Sequence, residues 1–304
     1  MGFKQRRELL FVYSVKDANP NGDPLNANHP RFDDASGHIL VSDVRVKRTI
    51  RDQWLREGKD VFVDGEVKTL KMRVDELKRK LQVKTGKEVV ARCIDTRLFG
   101  VTFALDKEAF SWTGPLQFKW GRSLHRTKPE LIQGTAAFAK EEKSEQRSIR
   151  NEYIVPFVLV TGYAIANQHA SAVTGATDED LDAMFDALWQ GTANLLTRSK
   201  VGHLPRFLLE VKYKEGFDGA IGALDEKVSL LDKNGVALSE DTQLALRSCD
   251  EIVLNTKRLA ENLKRMKENI VSVKIVKDSA LNVDKEGWEE IETLFRGMFT
   301  LKKK

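Results

Sequence analysis

The chain has 304 residues, 41% of them apolar and 31% charged, with a formal net charge of +5. This is enough to bury one large core or two ordinary ones. Its longest early apolar run, "LLFVYSV", falls well short of the ~18 residues of a membrane span, so no membrane partner is expected. "MGFKQRR" lacks the small polar residue of a myristoylation signal, and cytoplasmic residence is the expectation. Cys93 and Cys249 are too distant to form a Cys-x-x-Cys pair and the five histidines show no ligand spacing, so neither zinc nor another cofactor is expected. A basic balance fits nucleic-acid binding, although many basic proteins bind none.

Residues 8–16, "ELLFVYSVK", predict a strand buried on both faces. From Asp17 to Gly37 come four Asn, four Asp, three Pro and two Gly, a composition that excludes regular structure throughout. Here Asp17, Asn19, Asn21 and Gly22 follow the calcium-loop template D-x-[DN]-x-[DN]-G. Asn28 stands where that template needs a bidentate Glu, Pro20 and Pro24 interrupt it, and a strand precedes it in place of a helix. No metal is therefore expected.

"VSDVRVKRTIRDQWLRE" predicts a helix capped by Ser42 or Asp43, with Val46, Ile50 and Trp54 on its apolar stripe. Arg45, Lys47, Arg48, Arg51 and Arg56 lie off that stripe. "DVFVDG" reads as a short strand, residues 66–92 as helical in their middle, and "VVARCIDTRLFGVTFAL" as β-rich. Gly100 there marks a bulge or a close backbone approach. "RLFGVTF" shares Arg97, Phe99 and Gly100 with the RNP1 pattern of RNA-recognition motifs, with Leu98 where glycine is expected. Residues 106–150 suggest a projecting hairpin with a flexible return, and "EYIVPFVLVTGYAIA" resumes buried β-structure.

The clearest helix spans 178–197, capped by Thr177, with Leu181, Met184, Phe185, Leu188, Trp189, Leu195 and Leu196 on one stripe. "RFLLEVKY" alternates as a strand. A turn at Lys233-Asn234-Gly235, a helix near 256–268, the strand "IVSVKIVK" and a helix near 286–299 complete the chain. The class expected is α+β, a palm carrying an appendage.

A loop rich in amides that leads into a helix N-terminus and several cations suits phosphate oxygens. Alone, the basic helix face reads as merely solvated. Two further stretches shift the balance: Lys119, Arg122, Arg126 and Lys128 interleaved with Phe118 and Trp120, and Arg198 with Lys200. Cations near aromatics match single-stranded RNA recognition.

"VKDANPNGDP", "VSDVRVKRTIRD", "DTRLFG", "TGPLQFKWGRSL" and "TRSK", in this order, closely resemble the backbone subunit of type I CRISPR Cascade in its type I-B form. The likeness covers residue 8 to roughly 213 and is thin beyond 215. It implies a single domain over 1–304, a modified RNA-recognition-motif (ferredoxin-like) palm, with a web loop at 17–41 and a β-hairpin thumb at 106–150. It implies copies stacked head to tail on CRISPR RNA, other Cascade subunits as partners, and guide bases left free to pair with target DNA. Asn19, Asn21, Ser42, Arg45, Lys47, Arg48 and Arg51 would then grip guide phosphates. Gly114, Pro115, Leu116 and Gln117 would belong to the thumb, with Leu116 as an apolar wedge beside a displaced base. Arg122 and Ser123 would continue that contact, Arg198 and Lys200 would join it, and Arg97 carries the RNP1 likeness. The roles of Lys119 and Trp120 stay open.

The expected activity is scaffolding without catalysis. Two alternatives stand beside it. One is a metal-dependent ribonuclease, since related type III backbone subunits cut target RNA with an aspartate in this loop; Asp23, Asp33 and Asp34 occupy the region, Asp33 foremost. The other is a basic protein-interaction module without RNA.

Overall fold

A computed structural model describes residues 2–135, 149–297 and 299–303. Strand β1 (Arg7–Ala18) is the axis of the molecule. It pairs antiparallel on one side with the long strand β2 (Ile149–Ala166) and on the other with β3 (His203–Tyr213). Beyond β2 come Gly121–Ser123, His38–Val41 and the two-residue strand Phe32–Asp33; beyond β3 come β4 (Ile270–Lys277) and, parallel to it, Phe299–Lys303.

The sequence pattern accounts for β1. Its alternate residues Leu9, Phe11, Tyr13 and Val15 join one core, while Leu10 and Val12 join another, so the expectation of a strand buried on both faces holds. On the first face lie helix α1 (Asp43–Arg56) and helix α2 (Asp178–Ala193). Ile50 and Trp54 face inward, and Trp54 Nε1 donates to the Ala183 carbonyl at 3.3 Å. The helices meet closely at Gly191, where a Cβ would lie 2.7 Å from the Thr49 carbonyl oxygen. Ser42 caps α1 and Thr177 caps α2 through a capping box with Asp180, as their sequences predict. α2 stops at Ala193, and Leu196, expected on its buried stripe, is 79% exposed.

The second face is covered by the chain after Tyr213. Leu224, Ile252, Leu254, Leu259, Leu263, Ile291 and Phe295 pack there against Phe207, Leu209, Val211 and Tyr213. Around β1, both faces of the sheet are thus covered.

Residues 57–113 form an insertion with a core of its own: Phe62, Val74, Leu77, Val89, Val90, Cys93 and Phe103. Two readings fail here. "DVFVDG" is not a strand, and 86–99 is helical as Gly86–Arg92 and Ile94–Phe99. The Thr85–Glu88 capping box starts a helix that outweighs the β-propensity of Val89 and Val90. Arg97 and Phe99 thus lie on a helix, and of the three residues of the RNP1 likeness only Gly100 lies on a strand. Gly100 is a close approach, as expected: at φ +83° its Cβ would lie 2.4 Å from the Gly114 nitrogen, and a Cβ on Gly114 would lie 2.1 Å from the Phe99 carbonyl carbon.

The hairpin expected at 106–150 is split. Glu108–Thr113 pairs with Gly100–Leu105 inside the insertion, and Leu116–Phe118 joins the main sheet beside β2. Glu130–Thr135 pairs with the start of β2 and exposes Leu131 and Ile132; residues 136–148 of the expected thumb lie outside the described residues.

Asp95 fixes the insertion to α1. It is fully buried and accepts from Phe62 N at 2.7 Å, Val63 N at 3.1 Å and Arg51 Nε at 2.8 Å. Asp95→Ala removes one partner of a buried pair and should cost about 3–5 kcal/mol in denaturant unfolding. Gly114→Ala should cost at least ~2 kcal/mol, because only backbone is there to move. A wild-type midpoint in either variant would contradict this account.

Candidate nucleic-acid interface

With both faces covered around β1, the polar residues gather at the end of the sheet where β1 stops. Ala18 pairs with Val155 there, and Val15 with His203, so three chain segments meet: the polar loop after β1, the start of β2, and the turn into β3. Asn19 is the knot. Its main-chain nitrogen donates to Ser199 O at 2.9 Å, and its side-chain amide donates to Asn28 O at 2.7 Å. Its carbonyl accepts from Lys200 Nζ and, at 3.2 Å, lies against His203 Nε2. Lys200 Nζ also donates to Pro20 O at 3.2 Å. Asn21 Oδ1 accepts from both Ser42 N at 2.8 Å and Ser42 Oγ at 3.0 Å, tying the loop to the N-terminus of α1.

The loop is less irregular than its composition predicts. Gly22–Asp23 pairs with His29–Pro30, and the turn between them holds Ala27 and Asn28 at positive φ.

These contacts enclose a cavity of about 470 Å³ lined by Asn19, Asn21, Asn28, Arg45, Tyr153 and Lys200, together with Ser199 and Glu152. Four residues singled out in the sequence, Asn19, Asn21, Arg45 and Lys200, therefore converge. Among the described residues, Glu152 is the only acid in this lining, and it holds Arg198 at 2.8 Å. Asn19, only 5% exposed, leaves Oδ1 without a hydrogen-bond partner among the described residues.

The electrostatics are those of two half-buried cations, Arg45 and Lys200, beside the buried His203 ring. Burial, then the Arg45 charge, pushes the Lys200 ammonium down to about 7. Burial, then Lys200 and Arg45, pushes His203 down to about 3. Arg45 is itself lowered, chiefly by burial, and its Nη2 donates to Thr49 Oγ1 at 2.9 Å. Such a cluster gains from an anion that brings charge into the cavity.

The other expected contacts lie elsewhere. Arg48 pairs with Asp52 at 2.7 Å and donates to Val63 O at 2.9 Å. Arg51 serves Asp95, and Lys47 pairs with Asp43 at 2.9 Å; both cations also lie over the Phe99 ring. Arg97 is held by Asp180 at 2.6 Å. Arg122 pairs with Asp33 at 2.8 Å near the sheet edge, away from the cavity lining. Arg122, then Ser36, holds the Asp33 carboxyl down to about 2.

The thumb residues are corrected most sharply. Leu116 is 0% exposed in the core and has no free side chain to wedge. Gly114 and Pro115 are buried beside it, and Gln117 Nε2 folds back onto the Gly114 carbonyl at 2.8 Å. Ser123 is buried, bonding Ile39 N and His125 O. Sequence reasoning missed Asn28, Tyr153, Ser199 and His203. The histidine three residues after Lys200 was the available signal, but a lone His carries no spacing pattern.

Residues 5–257 match the family model of CRISPR-associated protein Cas7. A Haloferax volcanii protein described as CRISPR-associated protein Cas7 is 28% identical over 312 residues, covering 92% of this chain and 88% of that protein. A solved chain titled "CRISPR RNA-guided surveillance complex, pre-nicking" superposes with a TM-score of 0.54 at 12% identity, over 95% of this chain and 99% of its own. Another, titled "CRISPR RNA-guided surveillance complex", gives 0.51 at 16% identity, over 96% and 99%. At these identities the two structures speak for the fold, a mixed α+β architecture with a largely antiparallel sheet, and the likeness runs well past residue 215. With most of its length matched by the family model, this chain belongs to the CRISPR-associated protein Cas7 family.

Proposed function

We propose that this protein is the CRISPR RNA-binding backbone subunit of a type I-B Cascade surveillance complex, working in the cytoplasm as a scaffold without catalysis. The observation that carries the reading is the cavity at the end of β1, where Asn19, Asn21, Arg45 and Lys200 meet around half-buried positive charge. A ribonucleotide phosphate supplies the missing anion. Membership of the family and the titles of its structural relatives support the choice of RNA.

In this reading the whole chain is one domain with an RNA-recognition-motif-like palm. The strand order β3, β1, β2, Gly121–Ser123, with α1 and α2 on one face, supports it. The web is the loop at 17–41. The thumb is the arm built by Glu130–Thr135 and the start of β2, in place of 106–150 as a whole. Copies stack head to tail on the guide, beside other Cascade subunits, and the guide's free bases pair with target DNA.

Affinity for single-stranded RNA should fall with salt, and removing one phosphate contact should flatten the log–log slope by about 0.7. Lys200→Ala and Arg45→Ala should each do so, with little dependence on sequence. Arg48→Ala, whose cation is spent on Asp52 and Val63, should leave the slope unchanged. Equal slopes in all three would remove the cavity from the interface.

Binding should also take up a proton. Phosphate favours the charged form of Lys200, which in the free protein is protonated below pH 7 and neutral above it. Affinity should thus be flat below pH 7 and decline by up to about tenfold per pH unit above it. Lys200→Arg should abolish this decline while retaining binding. Anisotropy titrations from pH 6 to 9 check it, and a wild-type profile without a break would contradict it.

Incubating the assembled guide complex with complementary RNA and magnesium should give no regularly spaced products. Products that vanish in Asp33→Ala would overturn the scaffold reading.

A further inference from the structure

Among the described Phe, Trp and Tyr side chains one ring stands in solvent. Trp120 is 47% exposed, while every other Phe, Trp or Tyr whose side chain is described is buried or half-buried. It occupies the link between Leu116–Phe118 and Gly121–Ser123, where an indole contributes little to any core. The Arg31 guanidinium lies 5.9 Å from its ring centroid. Together they wall a cavity of about 410 Å³ whose other sides include Asp23, Asn26, His29 and Phe32.

Arg31 is fixed in place. Its Nη2 lies 3.4 Å from the Asp23 carboxylate and its main-chain nitrogen donates to Asn21 O at 2.9 Å. Its Nε is buried without a hydrogen-bond partner among the described residues. On the far wall the His29 ring meets Tyr153 edge-on, with centroids 4.7 Å apart at 63°. Tyr153 also lines the cavity of Lys200 and Arg45. The two cavities thus share a partition and are built from the same loop.

A solvent-facing indole beside a fixed guanidinium, with the Asp23 and Asp34 carboxylates and the Asn26 amide in the lining, has the chemistry of a nucleobase site. The ring and the guanidinium offer planar faces for stacking, and Asp23 and Asn26 offer acceptors for base amino groups. We propose that the Trp120–Arg31 cavity is a nucleobase subsite, taking one unpaired base of the strand whose phosphate lies at the neighbouring Lys200 cavity. The inference rests on the RNA-binding reading and adds a base-contacting residue to it.

The test compares full-length wild-type, Trp120→Phe and Trp120→Ala proteins by anisotropy. Each is titrated onto a short labelled single-stranded RNA and onto an abasic ribose-phosphate strand of equal length. Trp120→Ala should weaken RNA binding by about tenfold to a hundredfold, the effect of one lost stacking partner, with the salt slope unchanged. Trp120→Phe should keep most of the affinity, and the abasic strand should bind wild type and Trp120→Ala alike. Equal RNA affinity of wild type and Trp120→Ala overturns the subsite and leaves the phosphate reading standing. Equal losses on both strands overturn it too, because the ring would then act through structure. Reduced self-association in sedimentation with RNA affinity intact would make the cavity a protein contact and overturn it. A wild type that binds neither strand removes the RNA reading, and the subsite with it.

Discussion

The main-chain carbonyl of Asn19 holds the proposed RNA-binding end of the molecule together. It sits just past the last residue of β1 and receives the Lys200 ammonium, with the His203 ring beside it. Through that one oxygen the loop after β1 and the turn before β3 become a single wall, with the start of β2 opposite. A carbonyl is a weak counterpart for a half-buried ammonium, because it carries only a partial charge. The cavity therefore keeps its cations at an electrostatic cost in the free protein, and local rules are broken in this way where a ligand is expected to complete the site.

Why the site lies at a sheet end, and not on a sheet face, follows from the core. An open sheet reads bases with aromatics on its surface. Here helices α1 and α2 take one face and the chain after Tyr213 takes the other, so β1 is apolar on both sides. The rows of side chains that would stack on bases are spent on packing. Only the loops at the strand ends stay available for polar contacts, and the longest polar loop follows the most buried strand directly.

Periodicity made the central strand, α1, α2 and both helix caps legible, because each signal lies within a few residues of sequence. The failures have the opposite character. Whether a cation is free depends on a partner far away in the chain: Arg51 finds Asp95, Arg97 finds Asp180 and Arg122 finds Asp33. Nothing near those arginines announces the pairing, so a basic helix face looked like one surface although most of its charge is spent internally. Leu116 reads as a hairpin tip because Gly114 and Pro115 precede it, yet Gly114 is there to let two backbones touch. Of the expected contacts, Asn19, Asn21, Arg45 and Lys200 did converge. The amides follow β1 directly, and both cations lie on segments that flank neighbouring strands.

The borders of the main sheet bear on how this protein behaves at high local concentration. One border is the two-residue strand Phe32–Asp33, and the other is Phe299–Lys303, which finishes in consecutive lysines. Neither offers a long uncharged rim of backbone for a foreign strand to extend. At these two borders, molecules crowded side by side are steered away from pairing strand to strand.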